Sequence, residues 1–298
     1  MATKTQVIKP LERKVVSALD VDASGKRLVV GQNGLSIWSL APVKKLQEFK
    51  NSAGASVLMA RWTADGRQVA FTDTELRLRL YDVEQQEALP VKLTDKKVEW
   101  VDCARKAPRL LAAGSRTQVW DVEAGEVVWA LPGDGKRRKH PAIGCLSPDG
   151  KTAAVVGAVP ERVVLYDVDS GRELQQFEGA PASGRWLQFD PKMRYLACTE
   201  VHSNGTFIWN VKTGKRQLAS LFDQEAEGYW CFRFDPQGTR LALGMLLGRL
   251  YVHDLKSGDT QFKAHEHKGR IWDVAFTPDG KSLISGGDDY TARIWELP

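Results

Sequence analysis

An aromatic or histidine ring recurs at a nearly constant interval along the whole chain, each time inside a short β-branched run. The copies are Ile37-Trp38-Ser39-Leu40, Leu80-Tyr81-Asp82-Val83, Val119-Trp120-Asp121-Val122, Leu165-Tyr166-Asp167-Val168, Ile208-Trp209-Asn210-Val211, Val252-His253-Asp254-Leu255 and Ile294-Trp295-Glu296-Leu297. The rings are 43, 39, 46, 43, 44 and 42 residues apart. Seven such units fill the 298 residues, so residues 1–298 are expected to form a single domain with no room for a second.

A second signature lies between the rings. Asp22-Ala23-Ser24-Gly25, Thr63-Ala64-Asp65-Gly66, Ser147-Pro148-Asp149-Gly150, Asp235-Pro236-Gln237-Gly238 and Thr277-Pro278-Asp279-Gly280 are turn tetrapeptides. Pro pre-sets φ, Asp bonds its own backbone and Gly accepts a positive φ. Asp190-Pro191-Lys192-Met193 is a degenerate copy, and Ala104 to Ala107 have lost the turn residues. Alternating apolar runs flank each turn, such as Phe232 and Phe234 before and Leu241 to Leu243 after. That is the signature of half-buried strands. Turns such as Asp121 to Gly125 and Asp254 to Gly258 then lead a third strand into a fourth. One sheet of four short antiparallel strands cannot bury both faces, whereas seven stacked radially can. The expected fold is all-β, a seven-bladed β-propeller.

Composition narrows the function. A hydrophobic share of 43% with 27% charged residues excludes a disordered chain. Cys103, Cys145, Cys198 and Cys231 are scattered without a C-x-x-C pair, so buried reduced thiols are expected and zinc is not. Residues 1–13 carry no apolar h-region, and no apolar stretch reaches the ~20 residues of a spanning helix. These features point to a cytoplasmic location away from membranes.

The pattern resembles the WD-repeat family of β-propellers. The last unit carries most of the likeness, with His267, then Ile271-Trp272-Asp273-Val274-Ala275-Phe276-Thr277-Pro278-Asp279-Gly280, Leu283 to Asp289, Thr291 and Ile294-Trp295-Glu296. The resemblance implies a buried hydrogen-bonded tetrad of His267, Ser285, Asp289 and Trp295. At the tetrad-Asp register the other units hold Gln32, Glu75, Gly114, Pro160, Ser203 and Leu247, so their blades are expected to rely on apolar packing. The chain ends after the third strand of unit seven. The resemblance implies that Thr5-Gln6-Val7-Ile8 supplies the fourth and closes the ring.

No enzyme signature is present: there is no Gly-rich phosphate loop, nucleophile elbow or H-E-x-x-H. His265 and His267 are two ligands, short of a zinc site, and His253-Asp254 falls in the ring register, where a structural role is expected. Neither catalytic residues, cofactor nor metal are expected, and a catalytic propeller such as a lactonase is a distant alternative.

The resemblance implies that partners dock on the face carrying the inter-blade loops and the turns between second and third strands. The register eight residues before each turn glycine places Leu58, Glu99, Arg185, Trp230 and Trp272 there, with Arg270 just ahead of Trp272. The residue before the tetrad-Asp register adds His202, Leu246 and Asp288. Eight of the ten Trp occupy ring or strand positions, leaving Trp230 and Trp272 as candidate hot spots, a role in which Trp and Arg are enriched. The loop Lys136-Arg137-Arg138-Lys139-His140 carries four consecutive cations. The expected function is a non-catalytic scaffold for a protein or peptide partner, acting alone as a monomer or within a larger complex. The alternative is an acidic or nucleic-acid partner held by residues 136–140, although a net charge of +5 argues against nucleic acid.

Overall fold

The structure is a computed structural model that describes residues 5–9, 13–51, 54–91, 97–114, 116–131, 143–156, 162–181, 184–200, 206–217 and 228–298. Among them all regular structure is β, arranged as seven sheets of four antiparallel strands. Blade 2 is representative, with strands Val57–Trp62, Gln68–Asp73, Leu78–Asp82 and Glu87–Pro90 hydrogen-bonded in sequence order. The first strands are Ala18–Val21, Val57–Trp62, Val98–Cys103, Ile143–Leu146, Gly184–Phe189, Tyr229–Phe234 and Ile271–Phe276. Each packs against the first strands of both neighbouring blades, and the last touches the first, so they ring a central axis. The chain is a β-propeller of seven blades.

Blade 7 is completed from the other end of the chain. Thr5–Ile8 pairs antiparallel with Ala292–Glu296, in the register Thr5 with Trp295 and Ile8 with Ala292. This covers an edge that would otherwise present unpaired backbone groups.

The core lies between blades. Inner and second strands are almost wholly buried, as in Leu19, Val29, Phe71, Leu187, Phe232 and Ile284. Glycine allows the closest approach: a Cβ at Gly286 would lie 2.3 Å from Val16 Cγ1 of blade 1.

The turns after the inner strands stitch neighbouring blades. In blade 1, Asp22 caps its own turn through Lys26 N and Arg27 N and holds Arg27 Nε at 3.0 Å. Arg27 Nη2 then donates to Gly66 O of blade 2 at 2.7 Å. Asp190 and Arg194 of blade 5 repeat the device toward Gly238 O, and Asp235 and Arg240 of blade 6 repeat it toward Gly280 O. In the degenerate turn of blade 5, Met193 takes the left-handed φ of 58° that glycine holds elsewhere.

Candidate partner-docking face

Every inner strand starts at the end of the propeller where second strands turn into third strands. At this end five inner strands share an irregularity. Pairing skips a residue between Val57 and Met59, Val98 and Trp100, Gly184 and Trp186, Tyr229 and Cys231, and Ile271 and Asp273. The skipped residues are Leu58, Glu99, Arg185, Trp230 and Trp272. A bulge leaves one residue unpaired and re-aims its side chain. The register singled out in the sequence is therefore a ring of bulges at one mouth of the channel.

On blades 5 to 7 these side chains meet. Trp230 and Trp272 are half-buried and pack edge to face, with ring centroids 5.2 Å apart. The Arg185 guanidinium carbon lies 3.2 Å from the Trp230 centroid and that of Arg270 lies 3.8 Å from it. Both guanidinium groups therefore stack on the same indole. Arg270 also reaches Trp272, at 4.7 Å. Asp288 fixes the arrangement. Its Oδ1 accepts from Trp272 Nε1 at 2.6 Å and its Oδ2 from the Arg270 backbone N at 2.9 Å. Burial lowers the Arg185 pKa to about 10, and repulsion from Arg270 adds to the shift. Arg185 remains a cation at neutral pH.

The remaining candidates spread more widely. Leu58 packs against the core and Glu99 is half-buried. Leu246 is half-buried and donates its N–H to Gly228 O, which ties its turn to the start of the Trp230 strand. Its neighbour Leu247 is 53% exposed, and Tyr290, in the matching turn of blade 7, is 42% exposed. His202 and the basic loop Lys136-Arg137-Arg138-Lys139-His140 lie outside the described residues.

Blade 7 brings the four tetrad residues together. Asp289 Oδ1 lies 3.0 Å from His267 Nδ1, and Ser285 Oγ lies 2.7 Å from His267 Nε2 and 2.8 Å from Trp295 Nε1. Burial would raise the Asp289 carboxyl, but bonds from His267 and Thr291 hold it well below the usual range. An ionised carboxylate only accepts, so Nδ1 carries the proton and Nε2 accepts from Ser285. The relay runs Trp295 to Ser285 to His267 to Asp289. Other blades use substitutes. Trp38 Nε1 donates to Ser36 Oγ at 2.9 Å, and Trp209 Nε1 donates to Glu178 O at 3.2 Å. Trp120 Nε1 has no acceptor among the described residues. In blade 2, buried Asp73 accepts from Asn51 Nδ2 at 3.1 Å and Arg77 Nη2 at 3.0 Å.

Sequence reasoning missed the charge network deeper in the channel. Asp273 Oδ2 accepts from Arg61 Nη1 at 3.1 Å and from Leu19 N of the next blade at 3.1 Å. Asp20 Oδ1 accepts from Arg105 Nη2 at 2.7 Å, and its Oδ2 accepts from Trp62 N at 2.9 Å. Asp102 Oδ2 accepts from Leu146 N at 2.9 Å, and Gln188 Oε1 from Phe234 N at 3.2 Å. These side chains satisfy inner-strand N–H groups that face a neighbouring blade instead of a partner strand. Burial pushes Asp20 up, but Arg105 and Arg61 outweigh it and hold the carboxyl low. Among the described residues Asp102 has no cation bonded directly, and burial leaves its pKa raised. The available signal was a polar residue within an apolar inner strand, as in Ala18-Leu19-Asp20-Val21 or Phe232-Arg233-Phe234.

His253, Asp254 and His265 have structural partners. His253 Nδ1 lies 3.2 Å from Thr260 Oγ1, Asp254 caps its turn through Lys256 N and Ser257 N, and His265 Nε2 lies 3.0 Å from Leu247 O. Among the described residues no cluster of three or more His, Cys, Asp or Glu is arranged to hold a metal ion. Among the same residues no helix is long and apolar enough to cross a membrane.

Comparison with known proteins agrees with the geometry. The WD domain, G-beta repeat model matches residues 258–296, which cover the outer strand of blade 6, Thr260–Ala264, and the three inner strands of blade 7. The chain is 31% identical over 244 residues to WD repeat-containing protein 1 of Bos taurus, covering 81% of this chain and 34% of that protein. It is 27% identical over 146 residues to WD repeat-containing protein SL1-17 of Schistosoma mansoni, covering 49% of this chain and 47% of that one. It is 22% identical over 262 residues to WD repeat-containing protein 91 of Danio rerio, covering 86% and 32%. The chain thus spans less than half the length of each of these relatives. It is a seven-bladed β-propeller similar to WD repeat-containing proteins, with a WD repeat recognised across its last blade.

Proposed function

We propose that residues 1–298 form one propeller unit that serves as a non-catalytic protein–protein interaction scaffold in the cytoplasm. A protein or peptide partner docks at the channel mouth formed by blades 5 to 7. The observation that carries this reading is the half-buried cluster of Trp230, Trp272 and Arg185, each on a bulge, with Arg270, which leads into the Trp272 strand. Aromatic and arginine side chains held rigid at a concave mouth offer contact area at little entropic cost. The buried Asp–Arg pairs below them lock the ring that presents the face. The four cysteines are free and buried, which suits a reducing compartment.

Affinity capture from the source cell tests the reading, comparing the wild-type chain with the Trp230→Ala/Trp272→Ala double variant. The variant is expected to stay folded by circular dichroism and to lose the captured partner. Capture of the same proteins by both chains would remove the face from consideration. Capture that disappears in ~0.5 M salt for wild type would instead favour a mainly electrostatic contact.

A further inference from the structure

The channel mouth carries more hydrogen-bond donors than the fold uses. Arg185 Nε, Arg270 Nε and Trp230 Nε1 are enclosed and have no acceptor among the described residues. Among those residues neither guanidinium forms an ion pair with a carboxylate. The contrast with the rest of the chain is plain. Arg27, Arg77, Arg194 and Arg240 reach into the fold and each meets an Asp, at 3.0, 3.0, 2.9 and 3.2 Å. Asp288 is the acid nearest the cluster, and its two oxygens already serve Trp272 Nε1 and the Arg270 backbone. Desolvating two cations beside one another is unfavourable unless a counter-charge arrives.

Beside this donor-rich patch lies apolar surface. The turns bearing Leu247 and Tyr290 are bonded to the segments that lead into the Trp230 and Trp272 strands, through Leu246 N to Gly228 O and Asp288 N to Arg270 O. Tyr290 holds a left-handed φ of 64°, a conformation that a bulky residue adopts at a cost, while its ring stays 42% exposed. Gly248 takes a φ of 81° in the matching blade 6 turn. A glycine would suit the Tyr290 position better for folding alone.

We infer that this mouth recognises a peptide segment in which an aspartate or glutamate adjoins an apolar side chain. The carboxylate lies with Arg185 and Arg270, and the apolar neighbour lies over Leu247 and Tyr290. Charge balance selects a carboxylate over a phosphate. Two guanidinium groups against Asp288 leave a single net positive charge, which one carboxylate neutralises and a phosphate dianion overfills. The inference rests on the docking reading above and adds the chemistry of the partner.

The test is selection of a random 12-residue peptide library on the full chain, followed by fluorescence polarisation with synthetic versions of the enriched peptides. Enriched sequences are expected to share Asp or Glu beside Leu, Ile or Phe. Replacing that acid by its amide should weaken binding by about 30-fold or more, as should Arg270→Gln or Arg185→Gln in chains shown to be folded. Tyr290→Gly should weaken binding while leaving the melting temperature equal or higher, which separates recognition from stability. Peptides that lose binding with Trp272→Ala yet ignore the acid-to-amide change would overturn the inference and leave the docking reading intact. A phosphoserine version that binds more tightly than the acid at the same face would overturn the carboxylate assignment. Absence of enrichment, or enriched peptides indifferent to every one of these substitutions, would count against both the inference and the docking reading.

Discussion

Ser285→Ala should be among the most damaging small changes in the chain. Its hydroxyl stands at the middle of the blade 7 relay, accepting from Trp295 Nε1 at 2.8 Å and donating to His267 Nε2 at 2.7 Å. All three residues are buried, with exposures of 0% for Ser285, 1% for Trp295 and 4% for His267. Alanine leaves an N–H and a ring nitrogen without partners. Each orphaned buried group costs about 1–3 kcal/mol, so the pair amounts to about 2–6 kcal/mol. For a chain of this size that is a fall in melting temperature of roughly 3–10 °C. Urea unfolding followed by tryptophan fluorescence should show a lower midpoint with an unchanged slope. Ser285→Thr, which keeps the hydroxyl, should recover most of the loss. A loss under about 0.5 kcal/mol for Ser285→Ala would refute the reasoning, because that is the range of an ordinary surface substitution.

Other outcomes follow from the same geometry. Cys103, Cys145, Cys198 and Cys231 are all buried, and burial raises the Cys103, Cys145 and Cys231 thiols well above their ordinary value. A thiol reagent such as DTNB should therefore label none of the four in the native chain and all four in ~8 M urea. Because burial raises the Asp102 carboxyl, the folded chain binds more protons there than the unfolded one, and that stability is present at low pH and lost as pH rises through the folded pKa. Asp102→Asn keeps an acceptor for Leu146 N and should be as stable as wild type or more so at pH 7, with the advantage gone below about pH 4 in parallel urea titrations. Asp289 runs the other way. Its folded pKa is depressed, so its contribution is present above the ordinary carboxylate range and lost on acidification, and Asp289→Asn should flatten the acid limb of the stability curve. Removing residues 1–9 strips the outer strand from blade 7 and should lower the melting temperature and promote self-association by light scattering.

The period of the rings made the propeller readable before any coordinates. A ring every 39 to 46 residues and turns ending in glycine recur because each blade repeats the same burial and the same backbone. The N-terminal strand was legible through the resemblance, which implies that Thr5–Ile8 completes the last blade, as the pairing with Ala292–Glu296 bears out. What the sequence hid were contacts between residues that no period links. Asp20 and Arg105 are 85 positions apart, and Arg61 and Asp273 are 212 apart. Each looks like a polar interruption of an apolar strand until the ring closes. The docking cluster was half visible. The register singled out Trp230 and Trp272, yet it carried no sign that Arg185, from blade 5, would share a ring with Arg270, from blade 7. The bulges explain why: an unpaired residue breaks the alternation that makes strands legible, and it does so at the point where the side chain is re-aimed toward the mouth.

The central claim is that blades 5 to 7 present the docking face. Hydrogen–deuterium exchange of the full chain, with and without a partner captured from the source cell, tests it most directly. The account predicts protection concentrated in the turns and strand starts around residues 184–186, 228–231, 245–249, 268–273 and 287–291, with blades 1 to 3 unchanged. Protection confined to the outer strands, or to the opposite end of the channel around the turns at Gly25, Gly66 and Gly280, would contradict it.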